Sequence, residues 1–283
     1  MKWEDLRRSS NVEDQRGASS GGRVAGGVGI GSVVIALVAS LVFGVNPVEV
    51  LNLLQGGQVA PTPNSQVKPI DDRDSQFVKA VLGDTEDTWG RIFQQQLQTS
   101  YQPPKLVLFN QGVSSACGMA STAVGPFYCP ADEKVYLDMA FFRQIEATAG
   151  SSADFARAYA IAHEVGHHVQ NLIGISDQVK NAQSRSGRTT GNALSVRLEL
   201  QADCFAGVWG HYTAERNLVN GQDVKEAMDT AAQIGDDYLQ KQGQGYVVPE
   251  SFTHGSSQQR VSWFSKGLKS GNIKQCDTFA ARN

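Results

Sequence analysis

Internal repeats and C-x-x-C thiol pairs are both missing from this chain of 283 residues. Without an internal period it does not read as a stacked solenoid. With no C-x-x-C spacing among its four cysteines, a thiolate zinc site is disfavoured. A formal net charge of −3 leaves no electrostatic footprint for nucleic acid. Charge is also missing locally: none occurs from Val24 to Val45, and no Lys or Arg follows until Lys68. Histidine is scarce, at five residues, so any patterned pair of histidines stands out.

Such a pair exists. His163-Glu164-Val165-Gly166-His167 is an H-E-x-x-H motif, and with so few histidines its chance occurrence is on the order of one per cent. The surrounding residues read as helix. Ser151 or Ser152 offers an N-cap, Phe155, Tyr159, Ala162, Val165 and Val169 fall at helical spacing, and Gly174 can end it. Positions i and i+4 share one helix face, so both imidazoles can reach one metal. Catalytic zinc usually takes three protein ligands, which leaves a third to find. A second helical stretch runs from about 192 to 216, and in it Glu199 and Asp203 stand four apart and face the same way. A glutamate ligand backed by an aspartate that hydrogen-bonds a ligating imidazole is the expected arrangement. The alternative for this pair is a solvated acidic face, against which Leu198, Ala202, Phe205 and Ala206 argue by making the helix half buried.

These residues carry a family resemblance. "HEVGHHVQ" and "RLELQADCFAGVW" resemble the bacterial neutral zinc metallopeptidases, and H-E-x-x-H followed by E-x-x-x-D is similar to the glutamate-liganded zinc peptidases. The likeness extends to "MKWEDLRRSSNVEDQRG", "GPFYCPADEKVYLD" and "FTHGSSQQRVSWFSKGL". It implies that His163, His167 and Glu199 hold a Zn2+ ion, that Glu164 is the general base, and that Asp203 stands behind a ligand. Thr253-His254-Gly255, with Arg260 six positions after His254, resembles the T-H-P-x-x-x-x-R segment of membrane-associated zinc peptidases, with Gly255 where proline is usual. That makes His254 a candidate for stabilising the oxyanion of a tetrahedral intermediate. The other reading is a helix-capping loop, with Ser256 or Ser257 as N-cap and Arg260 bonded to an acidic neighbour. His168 and His211 read as structural or surface residues. By the same resemblance, residues 135–139 are the candidate edge strand for an extended substrate, an internal core strand being the alternative. The function implied is zinc-dependent endopeptidase action on peptide or protein substrates. An inactive zinc-binding scaffold and a chaperone-like envelope protein are the competing readings.

The division of the chain follows its composition. Residues 1–23 form a polar head that carries Lys2, Arg7, Arg8, Arg16 and Arg23. Residues 24–45 are long enough, at 1.5 Å rise each, to cross a bilayer of about 30 Å, and the positive-inside rule keeps the head cytoplasmic. This places the body outside an inner membrane, on the periplasmic side. A cleaved signal peptide is the rival, with an unusually long apolar core. Residues 46–70, with Pro47, Gly56-Gly57 and Pro61-Thr62-Pro63, read as a linker, and 71–283 as the zinc metallopeptidase domain. All four cysteines lie in that domain, as suits an oxidising compartment. Close spacing favours Cys117 with Cys129, leaving Cys204 with Cys276; buried free thiols are the alternative. Helix is expected through Phe77, Val81, Trp89, Ile92, Phe93 and Leu97, at 222–242 and at 256–269, strands at 106–109, 127–129 and 135–139, and a mobile loop at 184–192. The fold class expected is α+β: a mainly helical zincin-like domain with a small antiparallel sheet, behind one transmembrane helix.

Overall fold

Asp72 starts the first helix by a reciprocal cap, its side chain accepting from the Ser75 amide while Ser75 accepts from the Asp72 amide. Helix α1 (Arg73–Ile92) buries Phe77, Val81, Trp89 and Ile92, as the apolar period predicts, and continues into a wider π turn, Phe93–Leu97. The computed structural model describes residues 1–16, 71–110, 112–121, 125–149 and 153–280. Among them no helix is long and apolar enough to cross a membrane. The stretches 24–45 and 46–70, and the candidate caps Ser151 and Ser152, lie outside the described residues.

Among the described residues the strands are β1 (Val12–Asp14), β2 (Lys105–Phe109), β3 (Gly112–Ser115), β4 (Gly118–Ser121), β5 (Phe127–Cys129) and β6 (Lys134–Asp138). One sheet has the order β1-β2-β6-β5, and β3 pairs with β4 in a separate hairpin. The main sheet is not the antiparallel one expected. β1 with β2 and β2 with β6 are parallel, and only β5 with β6 is antiparallel. Leu106 through Phe109 and Val135 through Asp138 are buried without interruption, which is the mark of strands covered on both faces rather than half solvated. β6 is therefore interior, and 135–139 is not an edge; β5 is.

The rest is helical: α2 (Met139–Ala149), α3 (Ala153–Leu172), α4 (Ile175–Gln183), α5 (Arg188–Glu215), α6 (Gly221–Gln233), α7 (Asp236–Gln244) and α8 (Ser257–Ser270). Gly174, at φ 77°, ends the turn after α3 as anticipated. The expected loop at 184–192 shrinks to four residues, because α5 begins at Arg188 and Gln183 reaches Gly191 O at 3.1 Å and Ser195 Oγ at 2.8 Å. Polar composition there reflects exposure, not irregular backbone. The span 222–242 is two helices, broken at Ile234-Gly235.

Packing around α5 organises the body. Trp209 stacks on Phe155, Phe205 meets Trp89 edge to face, and Trp209 Nε1 donates to buried Asp84 at 2.9 Å. Two close backbone approaches set its distances. A Cβ on Gly166 of α3 would stand 2.9 Å from Ala202 O, and one on Gly267 of α8 would stand 1.9 Å from Cys204 O. Disulfides join Cys117 to Cys129, tying the β3–β4 turn to β5, and Cys204 to Cys276, tying α5 to the last helical turn. The alternative of free thiols does not hold, since no described cysteine is free.

Residues 1–16, set apart as a head by sequence, pack against this body. Trp3 is 5% exposed and meets Phe77 edge to face, and β1 extends the sheet.

Replacing Gly166 with Ala forces α3 away from the backbone of α5, so it is expected to lower unfolding free energy by about 1–3 kcal/mol and to weaken metal binding. Urea unfolding and chelator competition on the same variant measure both effects.

Candidate metal centre

Helix α3 presents His163 and His167 one turn apart, and α5 crosses it where Gly166 permits contact, bringing Glu199 onto the same point. His163 Nε2 lies 3.2 Å from His167 Nε2 and 3.2 Å from Glu199 Oε2; His167 Nε2 lies 3.5 Å from Glu199 Oε1. These three residues are one group able to hold a metal ion among the described residues. Donors bound at about 2.0–2.1 Å to tetrahedral zinc stand about 3.3 Å apart, so the spacing fits.

Hydrogen bonds on the far side of each ring decide which nitrogen is offered. His163 Nδ1 donates to Asp203 Oδ1 at 2.8 Å, and His167 Nδ1 donates to Gln170 Oε1 at 2.8 Å. In the neutral rings both Nε2 atoms therefore carry lone pairs toward the carboxylate of Glu199. Three acceptors converge with no donor of their own between them, a cluster that a cation satisfies. Protons compete for the same donors. Burial alone would lower His163, but Asp203 and Glu199 outweigh it and raise it to about 10. Burial would likewise raise Glu199, yet His167 and His163 hold it well below the usual carboxylate range.

Asp203 is fully buried and shared by three helices. Arg260 of α8 donates to it twice, from Nε and Nη2, each at 2.9 Å, and the Tyr159 hydroxyl donates to Oδ1. Burial is again outweighed, chiefly by Arg260 and His163, and the Asp203 pKa falls to about 2. Glu164 has a different setting. It is 8% exposed, and burial raises its pKa while the two histidines oppose that shift. A carboxylate so placed beside the ligand pair, with no role as ligand, holds a proton more readily than one in water.

His254 sits near this group and bonds elsewhere. Its Nδ1 is 3.2 Å from Asp236 Oδ1, and Asp236 Oδ2 accepts the amides of Thr253, His254 and Gly255 at 2.7, 2.6 and 2.9 Å. Gly255 has φ +91°, a value closed to proline, so this turn differs physically from the T-H-P segment it resembles. Ser256 is the N-cap of α8, with Gln259 completing the box, and the acidic neighbour of Arg260 is Asp203. His168 is structural: it lies between the Tyr128 hydroxyl at 3.0 Å and Gln102 O at 2.7 Å, and burial lowers its pKa. His211 is held by Leu268 O at 2.8 Å.

Sequence reasoning missed Gln170. Its Oε1 accepts from His167, and its Nε2 donates to Leu198 O at 2.7 Å and Gln201 Oε1 at 3.1 Å, which fixes the amide's orientation. The available signal was its place three residues after His167, on the same helix face.

A histidine pair and a glutamate on crossing helices, each imidazole oriented from behind, make a candidate metal centre. The chain belongs to the family described as "Putative neutral zinc metallopeptidase", whose model matches residues 1–279. It is 46% identical over 286 residues to "Uncharacterized protein YpfJ" of Escherichia coli K12, covering 99% of each chain. It is 42% identical over 197 residues to "Uncharacterized protein Mb2605" of Mycobacterium bovis, covering 65% of each. No solved structure matches it.

Changing Gln170 to Met keeps volume but removes the acceptor for His167. Zinc affinity, measured by competition with a chromophoric chelator, is expected to fall about 10–100-fold while circular dichroism stays that of the parent.

Proposed function

We propose that this protein is a zinc-dependent endopeptidase whose general base is Glu164. The observation that carries this reading is the convergence of His163 Nε2, His167 Nε2 and the Glu199 carboxylate, with buried Glu164 beside them. A zinc ion held there supplies Lewis acidity, which acidifies water and polarises a scissile carbonyl. Glu164 accepts the proton of the attacking water and returns it to the departing amine, a role its raised pKa supports. Direct attack by water needs no serine or cysteine nucleophile.

Two further elements belong to the proposal. The edge strand β5 lies beside the metal helix, with the Tyr128 hydroxyl 3.0 Å from His168, so an extended peptide can add to its outer edge by backbone hydrogen bonds. His254 is proposed as a donor to the developing oxyanion. Burial would lower its pKa, but Asp236 and Glu199 outweigh that and raise it, favouring the charged, donating form. The body is proposed to work outside the cytoplasm, attached to a membrane through residues 24–45; its two disulfides support an oxidising compartment. An inactive scaffold would have no use for a buried, unpaired Glu164 at the ligand pair.

Glu164→Gln should retain zinc and lose peptide cleavage by about a hundredfold or more, whereas Glu199→Gln should lose both. Metal analysis beside a peptide-library cleavage assay separates the two, and parent-level cleavage by zinc-loaded Glu164→Gln would refute the mechanism. In the same assay His254→Ala should keep its zinc and cleave about a hundredfold more slowly; an unchanged rate would leave His254 as part of the capping turn alone.

A further inference from the structure

Three of the arginines that make residues 1–23 look cytoplasmic, Arg7, Arg8 and Arg16, are engaged in the fold. Arg7 meets Glu86 at 2.7 Å and Asp87 at 2.8 Å, both on α1. Arg8 donates to Gln76 Oε1 at 3.1 Å and to backbone carbonyls of the opening turn. Arg16 binds Asp14 at 2.6 Å and Asp72 at 2.7 Å. Backbone bonds accompany these ion pairs: Lys2 N to Leu218 O at 2.7 Å, Ser9 N to Lys79 O at 2.9 Å, and Leu106 N to Asn11 O at 2.9 Å. Trp3 fills a place in the main core, and β1 runs parallel to β2 in the register Val12 to Leu106. The positive-inside reading counted these charges as free to hold the head behind a membrane. In the fold they serve contacts with α1 and its cap.

The two ends of the intervening segment also meet. Arg16 is the last described residue before it, Asp72 caps the first helix after it, and one ion pair joins them. A single crossing by residues 24–45 would put residues 1–16 and the body on opposite sides of about 30 Å of hydrocarbon, where none of these contacts can form. Two helical crossings require about 40 predominantly apolar residues. Between residues 17 and 70 the sequence has one such run, 24–45, after which come Pro47, Glu49, Gly56-Gly57, Pro61 and Pro63.

We infer that residues 1–16 and the zinc domain form one folded body and so occupy the same side of any membrane the chain meets. The inference stands independently of peptidase activity, and its test uses none.

Single cysteines introduced in the full chain at exposed Asp5 and, separately, at exposed Lys241 report the side directly. A membrane-impermeant maleimide is added to spheroplasts before and after permeabilisation. Labelling of both positions in intact spheroplasts, or protection of both, is the expected result; labelling of one with protection of the other overturns the inference. A second measurement reads the contact itself. Trp3→Ala in the membrane-bound full chain should lower the melting temperature of the body, followed by its resistance to protease, by about 5 °C or more. A body that fails to fold counts as the extreme of that loss, and an unchanged melting temperature overturns the inference.

Discussion

Much of this molecule depends on one buried carboxylate. Asp203 receives Arg260 from α8, His163 and Tyr159 from α3, and itself stands on α5, so three helices meet at a single charge. Burying an ion pair gains little net stability over apolar packing, but removing either partner strands a charge in a medium of low dielectric. The cluster is therefore better understood as fixing which way the helices sit than as cementing them. Close backbone contact makes it possible: without Gly166 and Gly267, α5 would stand too far from α3 and α8 for one carboxylate to serve both.

The convergence of His163, His167 and Glu199 was legible in the sequence because helical geometry converts spacing into position. The four-residue steps from His163 to His167 and from Glu199 to Asp203 each specify one face, and half-buried neighbours fix which face turns inward. Gln170 was not legible for a related reason. A glutamine on a helix is ordinarily an exposed filler, and its function here depends on Leu198 and Gln201 arriving from another helix. Strand direction was likewise beyond reach, since short apolar runs such as Leu106–Phe109 are compatible with either direction until the crossovers are known. The loop expected at 184–192 failed because an exposed helix start and a polar loop share composition.

The opening residues teach a similar lesson about charge. Arginines next to an uncharged apolar run have a standard membrane reading, and nothing local distinguishes it from ion pairing with a domain more than fifty residues away. What distinguishes them is the partner, Glu86, Asp87 and Asp72, and partners of that kind become visible only in three dimensions.

The two imidazoles are oriented by unlike groups, a carboxylate for His163 and a neutral amide for His167. A carboxylate makes its histidine a stronger donor, but its negative charge, uncompensated, would also weaken the electrophilic character of a cation at the site. Arg260 removes that conflict, since its paired bonds to Asp203 neutralise the charge while Oδ1, which accepts from Arg260 Nη2 and Tyr159 as well, still holds His163. Orientation is thus separated from charge. Both supports then converge on one crosslink: Cys204 follows Asp203 directly in α5, and Gln201, which holds Gln170, donates to the carbonyl of Cys276 at 2.9 Å. The Cys204–Cys276 disulfide therefore lies behind both histidines, and holds the tail against the helix from which both supporting networks run.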